Sequence, residues 1–568
     1  MDSRPNIIII LNDDMGYSDI GCYGGEVQTP NLDTLAQNGI RFTHFCNTAR
    51  CSPSRASLLT GLHPHQTGIG ILVNDDRPEG YAGTLNRNCV TIAEVLKAAG
   101  YGTYMSGKWH VVHDRWKPNA GWPNGRGFDE FYGIIHGATS YFYPTTLYRN
   151  TTNVEAEARA DPGYYITDAI SDAAARFIGD HVTNQPGKPF FLYVAYTAPH
   201  WPLHAKDADI ARYKGRFDAG WDVLREQRLQ RMAEMGIVGK EALLSPRDGK
   251  SKPWAGAENK EWEERRMEVY AAQIDCMDQG IGRIVKKLEE TGQIDNTLIV
   301  FLSDNGGCAE GMHRASKAGI TNPRRASGRA ETKDGRPVRF GNVPDVIPGP
   351  EDTYASYGPC WANLSNTPFR KYKHWAHEGG IATPFIAHWP AGIALKGGII
   401  HRRAQLTDIM PTILEITGAA YPAEFNGQRI LPVEGTSMVP LFRDEPNGKG
   451  MIFLEHEGNA AVIDGKWKLV RDFPGSWELH DMEADRSELH DVSKQFPDRL
   501  KAMARAYDEW AKRCGVIPRE RYIKRAYLKG IGGFLARIYM ARERRRIDAE
   551  NKRLEAFWKG QLGYPPRR

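Results

Sequence analysis

Four short stretches of the chain carry side chains that could do chemistry together. The segment Cys51-Ser-Pro-Ser-Arg55 sets a thiol four residues before a guanidinium, so the two can address one spot if the segment is helical. Such a cysteine is a buried structural thiol, a nucleophile or the precursor of one, and the segment alone leaves all three open. Asp13–Asp14 and Asp304–Asn305 offer only oxygen donors, the preference of a hard cation such as calcium or magnesium. Each pair would also serve as a turn cap after a strand. Two such pairs at two apolar strand ends favour the cation, because crowded carboxylates are costly without a compensating charge. His110 and His200 each follow a strand, with Lys108 beside the first and Pro202 and His204 beside the second. Of the 17 histidines, these two suit acid–base work, since imidazole titrates near neutral pH.

Elements that bring these groups together can be read from the apolar pattern. "NIIIIL" (6–11) is a β-branched run without alternation, as expected of a strand buried on both faces of a parallel sheet. "PFFLYVAYTAPH" (189–200), "NTLIVFLSDNGG" (296–307) and "TPFIAHWP" (383–390) read the same way. "TPNLDTLAQNG" (29–39) and the long stretch 261–292, closed by Gly292, read as helices, and 91–110 as helix, glycine stop and strand. Apolar strands alternating with helices predict an α/β domain with a large, mostly parallel sheet flanked by helices. Functional groups then gather at the carboxyl ends of the strands. Residues 308–365 are rich in Gly, Pro, Arg and Asp with little periodicity and read as a long excursion over that edge. The expected division is a catalytic domain at 1–445, a C-terminal α+β subdomain with a small antiparallel sheet at 446–517, and a basic, aromatic-rich helical tail at 518–568.

Composition narrows the classes. With 41% apolar and 25% charged residues in 568, the chain is an ordinary globular protein of two or more domains. Net charge is +5, and its distribution is uneven. Residues 519–568 hold 15 Lys/Arg against 5 Asp/Glu, leaving 59 against 64 in the rest. The tail's aromatic residues at helix-like spacing suit packing better than nucleic-acid binding. The tail is then a peripheral helix on the body or an arm that reaches a neighbouring subunit in a homo-oligomer. Eight scattered cysteines without a CxxC pair exclude a disulfide framework and a zinc knuckle. Neither a leader nor a transmembrane run of about 20 apolar residues is present in the sequence as given. The expected location is cytoplasmic, or periplasmic or secreted if a leader was removed.

The combination "CSPSRASLLTG" (51–61), "PNIIIILNDDMGYSDIGCYGG" (5–25), "GKWH" (107–110), "TAPHWPLHA" (197–205), "LSDNGG" (302–307) and "NTPFRKYKHWAHEGGIATPFI" (366–386) resembles the type I sulfatases of the alkaline phosphatase superfamily, with the bacterial arylsulfatases nearest. The matches run in the family's order from residue 5 to about 515, and the final fifty residues lie outside the pattern. The resemblance implies that Cys51 is oxidised to formylglycine by a formylglycine-generating or radical sulfatase-maturing enzyme. It implies one divalent cation, calcium before magnesium, on Asp13, Asp14, Asp304, Asn305 and an oxygen of residue 51. It further implies that a hydroxyl of the hydrated aldehyde attacks the sulfur of a sulfate ester, with Asp304 as proton acceptor. Arg55 and Lys108 would then balance charge, His200 aided by Lys373 would protonate the departing alcohol or phenol, and His110 would trigger sulfate release. A helix start near Pro53 would add its positive end to the anion site. Two rivals share these motifs: a phosphonate monoester or phosphodiester hydrolase of the same superfamily, and a non-catalytic binder of sulfated glycans. The aromatics Trp109, Trp116, Trp122, Trp201 and Tyr141–Tyr143 are either pocket-mouth or core residues at this level.

Overall fold

The computed structural model describes residues 4–74, 78–312, 324, 328–521 and 532–561. Its centre is a ten-stranded sheet. In chain order the strands are β1 (Asn6–Asn12), β2 (Ile40–Cys46), β3 (Gly102–Lys108), β4 (Glu130–Ile134), β5 (Leu147–Arg149), β6 (Thr152–Asn153), β7 (Phe190–Ala195), β8 (Thr297–Ser303), β9 (Ala382–His388) and β10 (Gly398–Gln405). Across the sheet they lie in the order β10-β2-β9-β8-β1-β7-β3-β4-β5-β6. The five strands β8-β1-β7-β3-β4 are mutually parallel, while β9 runs antiparallel to both β8 and β2.

The unbroken apolar run of β1 follows from burial on both sides. Ile7, Ile9 and Leu11 share a core with Leu58, Leu59 and Met410, while Ile8 and Ile10 share another with Ile170, Phe177 and Ile281. Successive strand side chains point to opposite faces, so two cores require apolar residues at every position. Helices Ile166–Asn184 and Lys260–Glu290 cover the second face, and Cys51–Thr60, Ile92–Ala98 and Ile409–Thr417 contribute to the first.

A separate four-stranded antiparallel sheet follows: β11 (Ile452–His456), β12 (Asn459–Asp464), β13 (Trp467–Arg471) and β14 (Glu478–Asp481). Alternation decides its two partners. Val462, Leu469 and Leu479 pack with Tyr507 and Trp510 of the helix Pro497–Cys514, while Ala461, Ile463 and Val470 join Cys46, Ala376 and Ile381 of the central domain. Between the two sheets, buried Lys468 bonds Glu378 at 2.9 Å and Glu488 at 2.8 Å, and Arg486 bonds Glu378 at 3.1 Å. Burial opposes the Lys468 charge, and the two carboxylates outweigh it and hold the ammonium protonated.

The helix Gly532–Gln561 lies against this body. Ile547 and Leu554 are buried, Glu550 bonds Lys371 at 2.8 Å, Asn551 donates to Glu478 at 2.9 Å, and Trp558 stacks on His490 at 5.1 Å. These five positions follow helical spacing and form one face. In the region 308–365, residues 313–323 and 325–327 lie outside the described residues. The remainder forms a short parallel ribbon, Arg339–Phe340 with Thr353–Tyr354, and the helix Gly358–Ser365. Among the described residues no helix is long and apolar enough to cross a membrane.

Replacing Lys468 leaves two buried carboxylates without their shared cation. Lys468→Ala is therefore expected to cost about 3–5 kcal/mol in denaturant unfolding. A loss below about 1 kcal/mol would mean that the network behaves like a surface ion pair.

Candidate active site

Parallel strands put their carboxyl ends on one edge, and there the chain delivers Asp13 and Asp14 after β1, Asp304 and Asn305 after β8, Lys108 and His110 at and after β3, and His200 after β7. Strand β2, parallel to β8 through the intervening β9, ends on the same edge and leads to Cys51. The reversed β9 begins there, which brings Lys373, nine residues upstream of Ala382, to the site.

The helix Cys51–Thr60 opens with Cys51 itself, two residues earlier than the Pro53 start expected from sequence. Arg50 is its extended N-cap residue (φ −153°, ψ 141°). Proline is tolerated within the first turn, where no intrahelical N–H bond is lost. Ser54 ties the entry loop down: its Oγ accepts from the Thr48 amide at 3.2 Å and pairs with Thr48 Oγ1 at 2.9 Å. Gly61, at φ 70°, closes the helix in the left-handed region. The Cys51 side chain, 3% exposed, thus sits at the positive helix end, near the charges of Arg50, Arg55 and Lys373.

Around it, three carboxylates alternate with three cations, all fully buried or nearly so. Lys108 Nζ lies 2.5 Å from Asp13 Oδ2. Arg55 Nη2 donates to Asp304 Oδ2 at 2.8 Å and lies 3.7 Å from Asp13 Oδ1, while its Nη1 donates to the Lys108 carbonyl at 3.1 Å. Lys373 Nζ contacts both Asp14 oxygens at 2.8 and 2.9 Å. Asn305 Nδ2 donates to Asp14 Oδ1 at 2.7 Å, and the Asp14 amide donates to Asp304 Oδ1 at 3.3 Å. Burial penalises the Asp13 anion, but Lys108, His200, Arg55 and Lys373 outweigh it and hold the carboxyl below its usual range. Burial and the Asp13 charge push Asp304 upward, against the opposing pull of Arg55 and Lys108. Asp14 takes φ 71° and His110 φ 54°, backbone values uncommon outside glycine.

The donor set fits a hard divalent cation. Asp13 Oδ1, Asn305 Oδ1 and Asn12 Oδ1 are buried without a hydrogen-bond partner. Buried polar atoms without partners are rare and call for an explanation such as an ion. Oxygens of Asp13, Asp14, Asp304 and Asn305 are what calcium or magnesium takes.

Nδ1 of His200 sits 2.6 Å from the Trp201 carbonyl, an acceptor, so Nδ1 carries the proton. That leaves Nε2 facing Lys373 Nζ at 3.5 Å and Asp14 Oδ2 at 3.4 Å. Burial, against the opposing pull of Asp14, lowers its pKa. Burial and Lys108 push His110 well below the normal imidazole range, and its Nδ1 has no hydrogen-bond partner. A Cβ at Gly137 would come within 2.3 Å of His110 Nε2, so only glycine admits the ring there. All ten residues singled out by sequence therefore converge on one edge of the sheet.

Two residues escaped sequence reading. Arg50 bonds Glu310 at 2.7 Å, and Glu310 also accepts from Trp201 Nε1 at 3.2 Å. Their positions, directly before Cys51 and five residues after Asn305, were the available signal. Among the aromatics, Trp109 and Trp122 are core, and Tyr141 is buried with its hydroxyl on the Thr197 and His200 carbonyls. Trp116 is 54% exposed. Trp201, half-buried with its ring 4.3 Å from that of His200, is the one at the rim. A cavity of about 560 Å³ opens above Arg50, Glu310 and Lys373. A larger one of about 900 Å³, against the helix Gly220–Glu234, holds none of the charged cluster.

Comparison with known proteins gives a consistent picture. A family model described as Sulfatase matches residues 5–419, and one described as N-sulphoglucosamine sulphohydrolase, C-terminal, matches 369–506. The chain is 34% identical over 453 residues to the arylsulfatase of Klebsiella aerogenes, covering 77% of this chain and 91% of that one. It is 31% identical over 550 residues to an uncharacterized sulfatase of Schizosaccharomyces pombe, covering 90% and 94%. The crystal structure of Ps i-CgsB, solved also in complex with k-i-k-neocarrahexaose, superposes with a TM-score of 0.63 at 28% identity over 89% of this chain and 93% of that one.

If the four oxygen-bearing side chains bind the cation, calcium returned to chelator-treated protein will raise its melting temperature, because a ligand of the folded state stabilises it. Asn305→Ala should diminish that rise. An equal rise in the variant would remove Asn305 from the cation's ligands.

Proposed function

Since the chain belongs to the sulfatase family and is a sulfuric ester hydrolase, we propose that it works through a formylglycine made from Cys51 and one divalent cation, calcium before magnesium. The observation that supports this most directly is the placement of Cys51 at a helix N-terminus beside three cations that already engage Asp13, Asp14 and Asp304. Once converted by a maturing enzyme, residue 51 supplies a hydrated aldehyde, with one hydroxyl to attack sulfur as its proton passes to Asp304 and a second to expel sulfate. The cation, held by Asp13, Asp14, Asp304 and Asn305, supplies positive charge against the sulfate oxygens.

The remaining work falls to the chain's own side chains. Arg55, fixed by its bonds to Asp304 and to the Lys108 carbonyl, presents a guanidinium to the same spot as residue 51. Lys108 and Lys373 hold fixed positive charge where negative charge develops, so nothing has to reorganise during reaction. The proton on His200 Nδ1 is locked by the Trp201 carbonyl, so Nε2 is the atom that faces the site and passes a proton to the leaving oxygen after taking it from the Lys373 ammonium, 3.5 Å away. The free Nδ1 of His110 can accept the proton whose loss releases sulfate. A sulfate ester carries an alcohol or phenol leaving group, and alcohols need protonation most.

Cys51→Ala should lose turnover while keeping the wild-type melting temperature, and peptide mass analysis of active protein should find an aldehyde at residue 51. Full activity from protein whose residue 51 is an intact thiol would refute the reading. For His200→Ala, kcat should fall by about 10²–10⁴-fold on poorly acidic alcohols and much less on acidic phenols. Equal losses along such a series would remove His200 from the acid role. Parallel rates on an aryl sulfate and an aryl phosphodiester separate this activity from phosphodiester or phosphonate hydrolysis.

A further inference from the structure

We infer that the C-terminal helix Gly532–Gln561 forms one wall of the substrate pocket, and that its Arg546 selects hydroxyl-rich carbohydrate leaving groups. The inference deepens the proposed function and rests on it. The cavity of about 560 Å³ that opens above Arg50, Glu310 and Lys373 is also lined by His374, Trp375 and Arg546. Its size is ordinary for a small-molecule site. Neither family model reaches this helix, since their matches end at residues 419 and 506. The helix thus lies outside the residues that either model matches.

The helix is seated firmly enough to serve as a wall. Ile547 and Leu554 are 3% and 4% exposed. Glu550 bonds Lys371, two residues before Lys373, at 2.8 Å. Asp472 then joins helix and pocket: it contacts Lys371 at 3.1 Å, the Trp375 indole N–H at 3.2 Å and Arg546 Nη2 at 3.7 Å. Trp375 is thus pinned by its nitrogen, half-buried, with its ring 5.0 Å from that of His374.

The rim's charges decide the kind of leaving group. Several of them are already paired: Arg50 with Glu310 at 2.7 Å, Arg546 with Glu543 at 2.8 Å, Lys371 with Glu550 at 2.8 Å and Glu457 with Arg519 at 3.2 Å, while Asp248 and Lys250 line the same cavity with opposite charges. His374 lies 3.4 Å from Glu457 and near His456, and although these three could chelate an ion, the Arg519 partner makes Glu457 part of the same paired rim. Paired charges have no net demand for a counter-ion. They offer adjacent donors and acceptors that a hydroxyl, both donor and acceptor, can bridge. A flat aryl group would leave them desolvated and unmatched. An indole face beside such pairs suits a sugar ring.

The test uses the full-length matured protein and compares kcat/KM on a sulfated oligosaccharide with that on nitrophenyl sulfate. In Arg546→Ala the ratio of the two should fall about tenfold or more, carried mainly by KM, and Arg546→Lys should recover part of it. A ratio unchanged from wild type would overturn the inference, including the case where both activities fall together because the Lys371 loop has shifted. Matured wild-type protein that hydrolyses nitrophenyl sulfate but no sulfated sugar would overturn it while sparing the proposed function. Protein that hydrolyses no sulfate ester at all would overturn both.

Discussion

The structure depends on a charge balance. At the carboxyl edge of the central sheet, Asp13, Asp14 and Asp304 are withdrawn from water together with Arg55, Lys108 and Lys373. Neither set could be buried alone, because an isolated buried charge costs far more than a domain's net stability can absorb. The partners come from segments between 40 and more than 350 residues apart, so the balance can form only after the sheet has assembled. The same arrangement that makes burial tolerable leaves a cluster of oxygens and fixed cations at the mouth of a pocket. Such preorganised charge is what an enzyme needs to act on an anionic ester.

Strand direction explains how so many distant residues meet. Parallel strands deliver their following residues to one edge, and four of them account for the acids, Lys108, His110 and His200. The reversal at β9 brings a fifth segment, carrying Lys373, to the same edge from the opposite chain direction. Behind that segment stands the C-terminal sheet, locked to the centre through Lys468, Glu378, Glu488 and Arg486. This second buried charge network repeats the logic of the first without any chemistry to perform. It holds β9's approach in place, since Glu378 lies between Lys373 and the strand.

The C-terminal helix adds a third layer to the same construction. Through Glu550 and Lys371 it grips the loop that carries Lys373, and through Arg546 and Asp472 it reaches the pocket rim. A basic tail that looks like an appendage in sequence is thereby continuous with the active-site wall. Arg546 engages carboxylates of its own turn and of the body, and Arg544 and Arg553 donate to the Pro474 and Arg247 carbonyls of the body.

Much of the centre was legible in sequence because its determinants are local. An apolar run buried on both faces announces a parallel strand, as in Ile7–Leu11. Polar residues at the end of such a run then mark the functional edge, as in Asp13–Asp14 and Asp304–Asn305. The spacing of Cys51 and Arg55 conveys a shared helix face, although the helix begins at Cys51 itself. Other features were out of reach because they depend on pairing across the chain. Nothing local tells Trp109 and Trp122, which fill the core, from Trp201, which lies at the rim. Nothing near Arg50 or Glu310 says that they meet, and nothing in the tail shows that Arg546 faces the pocket. Sequence thus determined which residues could react and what strands would carry them, since side-chain period and type act over a few residues. Tertiary structure alone decided which charges share a buried space, because that follows from strand order and direction.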